Sequence, residues 1–429
     1  VPLSVFVVGA GVALILSFLA VSALWREPRL QTPRPSRHIS ISWLPGVRRG
    51  LAVLGVVAFA LVVVNGLAAG DETTLDIGPP LVWVYFWLVI PFLAAAVGNM
   101  WPWISPWRTL SLIGARNRPE RTDIGDRLGV WPAAAAFLAF TWLELVSPDS
   151  GDPGTLAVAA IVYASYMVAL TRIVGSESAL GGFDAFEVYN GLLSSISPLS
   201  WTRRRPDGPG AAVAAVPQPA ALEYRGWLRT LAALRQRRGL TAFIVAMIGT
   251  VTYDGMSSTQ WWNDLYRATA RDEWFGTRAL IVTVLLVGGG YWVASWVAAQ
   301  IAGGSWTAGR IAASFAHTLV PIALAYAVAH YFTLVLFEGQ LLVLAASDPF
   351  GLGWNLFGTA GWSVSFFMSP EAVWYVQLAV IVGGHIAGVA LAHDRALALF
   401  GDVGAVRTQY AMLVLMVGLT SLGLFILAG

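Results

Sequence analysis

Apolar residues in this chain come in long unbroken runs, not in the short alternations of a water-soluble domain. The runs are Leu3–Leu24, Gly50–Ala69, Leu81–Met100, Val130–Val146, Thr155–Val174, Leu240–Tyr253, Ala279–Ala302, Ile311–Leu336, Ala372–Ala392 and Tyr410–Ala428. Crossing about 30 Å of hydrocarbon takes roughly 20 helical residues, so most of them qualify as membrane-spanning helices. Backbone polar groups find no water at that depth, which leaves the helix as the natural form for such runs. The sixth run is short; it either begins nearer Leu231 or forms a tilted or broken helix. The pattern predicts an all-α fold, a polytopic integral membrane bundle of about ten transmembrane helices, in a single domain over residues 1–429.

The polar segments between runs alternate in charge. Arg26, Arg29, Arg34, Arg37, Arg48 and Arg49 follow the first run, whereas Asp71, Glu72 and Asp76 follow the second. Arginines again follow the third, fifth, seventh and ninth runs, most densely in the loop 201–238, and the loop 338–371 contains no basic residue. Under the positive-inside rule this places the Arg-rich loops in the cytoplasm and both termini outside. Only the loop after the sixth run, with Asp254, Asp264, Asp272 and Glu273 against Arg267, Arg271 and Arg278, is ambiguous. The first run can serve as the insertion signal, or a segment upstream of Val1 has been removed.

Composition agrees: 57% of the 429 residues are hydrophobic, 12% are charged, and the mean hydropathy is +0.67. That balance excludes a soluble domain, and the formal net charge of +2 gives no footprint for nucleic acid. The lipid bilayer is the expected partner. With no cysteine, the chain excludes disulfides, thiolate metal sites, iron–sulfur clusters and covalent haem. No internal repeat is evident, which weakens a transporter built from inverted halves. Three loops stand out. Leu180–Gly191 is too polar to span but aromatic enough to be interfacial or re-entrant. Asp207–Gln218 reads as a flexible Pro/Gly/Ala linker. The outer segment around Asp348, Trp354 and Phe357 either covers a pocket or lies on the headgroups.

Four of the five histidines, His317, His330, His385 and His393, fall in or beside the eighth and ninth runs. His317 and His330 are thirteen residues apart, so on one helix they lie roughly 20 Å apart and about 140° around the axis, at two levels. At the inner level His317 can meet His385 from the next helix, because Gly384 and Gly388 permit close approach. His393 and Asp394 lie near the same height, and Asp184 and Glu187 are in reach from the re-entrant candidate. Such a group suits a divalent zinc, copper or iron ion. In the bland alternative each ring bonds a neighbouring carbonyl. At the outer level His330, Tyr326, Asp254, Glu144 and Glu338 assemble a carboxylate–imidazole site or proton path, with Asp254 and His330 as the catalytic candidates. Glu144 and Glu338 read as interfacial acids facing water.

The stretches Gly249–Gly255, His317–Phe332, Ser347–Gly351, Asn355–Thr359 and Gly384–Leu397 resemble the bacterial membrane proteins named fenitrothion hydrolases. The resemblance implies a bacterial plasma-membrane protein that hydrolyses a lipophilic phosphotriester; physically, a metal-bound hydroxide would supply the nucleophile for that reaction. It carries no established catalytic residues. The chain has no Gly-x-Ser-x-Gly elbow and no His-Glu-x-x-His pair. Two rivals remain: a proton or metal-ion transporter, and a redox or assembly subunit in which His317 and His385 ligate b-type haem or copper.

Overall fold

The computed structural model describes residues 3–32, 37–68, 76–112, 121–203, 220–269 and 272–428. The long helices are α1 (Leu3–Leu24), α2 (Leu44–Ala68), α3 (Pro80–Val97), α4 (Trp131–Leu145), α5 (Pro153–Val174), α6 (Ala185–Ser194), α7 (Leu240–Ser257), α8 (Glu273–Ala302), α9 (Ala308–Ser347), α10 (Pro370–Gly401) and α11 (Gly404–Phe425). Eight of these are long and apolar enough to cross a membrane, and α1 and α4 contribute shorter apolar helices. The protein is therefore an all-α, multi-pass membrane bundle. Large apolar side chains on the outer faces of α1, α2, α5 and α8, such as Leu16, Val53, Val162 and Leu286, are exposed. An exposed apolar belt of that extent is stable only in lipid.

One feature departs from an all-helical chain. Arg37–Ser40 (β1), Leu199–Arg203 (β2) and Ala220–Tyr224 (β3) form a small antiparallel sheet with β3 in the centre. It ties the segment after α1 to the segment after α6, so the Arg-rich loop 201–238 is partly structured. The Pro/Gly/Ala stretch 207–218 lies outside the described residues. The sixth run begins at Leu240 and not near Leu231, which sits in a separate short turn, Arg229–Ala232.

The helix ends follow local chemistry. Asp152 caps α5 by accepting the Thr155 N–H at 2.6 Å, and Asp272 caps α8 through Trp274 N–H at 3.1 Å. In α9 the backbone tightens to a 3₁₀ turn over Ala316–Leu319 just before Pro321, whose missing N–H cannot continue the α ladder. A π turn over Leu334–Glu338 then leads into Gly339–Ser347, so helix extends well into the loop 338–371. Between α10 and α11 the chain breaks at Gly401, with φ +68° and ψ −179°. A side chain there would be strained, so glycine sets the corner.

The helix α7 is the axis of the bundle: 67% of its apolar window is buried, against 17% for α2. It packs against α4, α8 and α9, while α9 packs along α10, and α1 joins α11 through Phe18 against Tyr410. The Arg-rich segments converge on one end. Arg29 bonds Asp394, Val130 N–H bonds Arg238 O, and Arg237 bonds Gly181 O. At the opposite end Asn65 bonds Pro349 O, Trp83 bonds Ser150 O and Trp142 bonds Thr277. The segment after α7 sits at that second end, where Tyr253 and Trp262 pack with Val146.

Candidate functional site

Asp254 lies in the last turn of α7, His330 and Tyr331 at mid-length of α9, and Glu144 one residue from the end of α4. Packing of α7 against both neighbours brings them together. The His330 Nε2 atom is 2.9 Å from Asp254 Oδ2. The Tyr331 hydroxyl donates to the same carboxylate oxygen at 2.5 Å and lies 3.4 Å from Glu144 Oε1. Two acids, an imidazole and a phenol thus form one hydrogen-bonded chain. A phenol has a single proton and cannot donate fully to both carboxylates, so it is a bridge over which a proton can pass.

Access to this chain is graded. The His330 and Asp254 side chains retain 20% and 16% exposure, Tyr331 is buried, and Glu144 Oε2 is sealed from water with the Trp87 indole as a neighbour. Glu144 therefore does not face water, contrary to expectation; Glu338 is exposed, as expected. Tyr326 is not a member, since its hydroxyl bonds the Leu419 carbonyl. It lines a small cavity against His330 with Val251, Gly255, Ala329 and Gly423. The hydroxyls of Ser257, Ser258 and Thr259 each return to a carbonyl at 2.7 Å.

The inner residues do not converge as a ligand set. Gly384 and Gly388 do allow close contact: a Cβ on Gly384 would meet Pro321 O at 2.7 Å, and one on Gly388 would meet Thr318 O at 2.9 Å. His385 nevertheless turns its Nδ1 to Ile381 O of its own helix at 2.9 Å. His393 is spent on both sides, with Nε2 2.9 Å from Trp25 O and Nδ1 3.1 Å from Gln409 Nε2. A neutral ring protonated at Nε2 satisfies both contacts and leaves no lone pair for a metal. Asp394 accepts from the backbone N–H groups of Arg29 and Leu30 at 2.5 and 3.0 Å, and from Gln31 Nε2 at 3.2 Å. The His317 ring is buried with the Ser314 backbone as its polar neighbour, and His385 has no partner on Nε2. Among the described residues no three His, Asp or Glu side chains gather in a group able to hold a metal, so these residues do not fit the expected ion.

Asp184 and Glu187 belong elsewhere. The helix α6 is buried inside the bundle rather than lying on its surface. Asp184 caps it at Phe186 N–H and also accepts from Tyr163 Oη at 2.9 Å and the Trp107 and Trp101 indoles at 2.8 and 3.4 Å. Burial raises its pKa, and these donors oppose the rise. Glu187 pairs with Arg108 at 3.4 Å; burial pushes its carboxyl up to about 8 against the pull of that guanidinium.

The fold and the cluster define a multi-pass helical membrane protein with a partly buried His–Asp–Tyr–Glu chain at one end of its most buried helix. Comparison with family models, curated proteins and solved structures finds no match for this chain.

Proposed function

We propose that this protein moves protons across the outer half of the bilayer as part of a proton-coupled transport cycle. The observation that carries the proposal is the Tyr331 hydroxyl set between Asp254 and Glu144, with His330 on the same carboxylate. Intramembrane acids joined to an imidazole in this way are characteristic of proton relays. His330 and Asp254 are the water-side entry, Tyr331 the bridge and Glu144 the buried acceptor. The positive-inside rule orients the Arg-rich end to the cytoplasm, giving ten spans with both termini outside, and a bacterial plasma membrane is the setting that the resemblance suggests.

The test is proton flux into proteoliposomes under an imposed potential, read with an internal pH dye. Asp254→Asn and Glu144→Gln lower the flux by roughly 100-fold, on the scale of losing one positioned proton donor or acceptor, while the protein remains folded. Flux unchanged in both variants removes the proposal. A second reading is favoured by the cavity against His330: the His330–Asp254 pair as general base for a water attacking a lipophilic phosphotriester, the activity implied by the fenitrothion hydrolase resemblance. Release of the phenol from such an ester, lost in His330→Gln with proton flux absent from the native protein, would favour hydrolysis.

A further inference from the structure

Between α9 and α10 the chain carries large apolar side chains that stay exposed among the described residues. Phe366 and Phe367 retain 76% and 63% of their surface, and Leu356, Phe357 and Trp362 are bare as well. In water such a loop would invite aggregation. Phe366 and Phe367 both pack on Phe337, with ring centroids 4.8 and 5.8 Å away. Phe337 follows directly on the apolar run of α9, which ends at Leu336, and the run of α10 opens at Ala372. The three rings therefore continue the lipid-facing belt at the level where both spans leave the hydrocarbon. Tyr375, exposed in the second turn of α10, belongs to the same belt.

The polar groups of the loop are turned to one another. Asp348 accepts the Leu352 and Gly353 N–H groups at 2.8 and 2.7 Å. Ser347 Oγ accepts those of Phe357 and Thr359, both at 3.2 Å, and Asn355 Oδ1 accepts that of Ala360 at 3.1 Å. The Gln340 side chain clasps Ser365, donating to its carbonyl at 3.0 Å and accepting its N–H at 2.9 Å, which fixes the Phe366 end to α9. Hydrogen bonds closed inside the loop and bare rings outside it suit a place where water is scarce. Charge narrows the partner. Residues 338–371 hold Glu338, Asp348 and Glu371 but no base, so nothing here attracts an anionic surface. Aromatic rings settle at the headgroup level without any cation to draw them there.

We infer that the loop between α9 and α10 is an interfacial segment seated on the bilayer face opposite the Arg-rich loops, with Phe357, Trp362, Phe366 and Phe367 sunk among zwitterionic headgroups and the upper acyl chains. It lies on the lipid and does not cover a pocket. The Phe337 contact and the Gln340 clasp make it an extension of α9, so the depth of that helix is set in part by the loop.

The full chain in phosphatidylcholine nanodiscs, one copy per disc, tests this. The chain has no cysteine, so Phe366→Cys and, separately, Phe357→Cys each carry one fluorophore where a ring stood. Aqueous iodide quenches both labels roughly fivefold less than the free dye, as expected about 5–10 Å below the surface, and lipid bearing a nitroxide near its headgroup quenches both strongly. Adding Phe367→Asp to the Phe366→Cys chain returns iodide quenching toward that of the free dye. Labels that iodide reaches as freely as the free dye, whether the rings fold on one another or await a protein partner, overturn the inference. Shielding from iodide without quenching by the nitroxide lipid overturns it too, as does shielding that appears only when two copies share a disc, since protein is then the cover.

Discussion

Tyr331 carries the proposed relay because its hydroxyl reaches two carboxylates from different helices. Tyr331→Phe keeps the ring but removes the bridge, so proton flux falls toward that of Asp254→Asn while His330 and Asp254 stay paired. Glu187 gives a prediction of a different kind. Its folded-state pKa of about 8 lies above the ordinary value of 4.5, so the folded state binds the proton more tightly than the unfolded chain. The associated stability is complete below about pH 4.5 and is lost as pH rises through about 8. Thermal unfolding in detergent should show the native protein weakening across that window, and Glu187→Gln should flatten the dependence. At this scale the sequence was half legible. Asp254 and His330 could be paired because each sits near the same end of an apolar run. Tyr331 escaped notice because helical phase alone does not show which of two adjacent residues faces a third helix. Glu144 looked like an interfacial acid because its burial comes from neighbours distant in the chain, Trp87 and Tyr331 among them.

Helices were the most legible element, since an apolar run long enough to span the bilayer leaves the backbone few alternatives. Their irregularities were less so. Pro321 announced a disturbance, but not that it would become a 3₁₀ turn that sets the pose of His317. The glycine pair on α10 was readable as a contact surface, and the packing of Gly384 on Pro321 and Ala325 bears it out. Gly384→Val inserts methyl groups where no space exists, and overpacking of this kind costs about 1–3 kcal/mol; a lower unfolding temperature with α9 and α10 still helical is the expected result. Asp184 ties the start of the buried helix α6 to three aromatic donors. Asp184→Ala removes the cap and strands the Tyr163, Trp101 and Trp107 donors, so a loss of about 3 kcal/mol or more is expected, checked by thermal unfolding. Asp184→Asn retains one side-chain oxygen and should lose less.

On the scale of the whole molecule, the loops sort onto two ends by their hydrogen bonds, and the mixed-charge segment after α7 joins the acidic end. Charge counting alone left that segment open, because opposite charges on it nearly balance. The small sheet was beyond sequence reading, since its strands come from segments far apart and are too short to show a period. A chain without cysteine makes orientation simple to measure: Ser365→Cys should react with an impermeant maleimide added to intact cells, and Arg235→Cys only after lysis. The reverse pattern would invert the bundle.

The contact between Arg29 and Asp394 joins residues 365 positions apart. A ribosome therefore releases α1 into the bilayer long before these neighbours exist, and α1 must wait, solvated by lipid or held by an insertase, until α10 and α11 are threaded. Docking of α1 depends on helices made much later, so a chain truncated ahead of α10 would leave α1 without the surface it packs on.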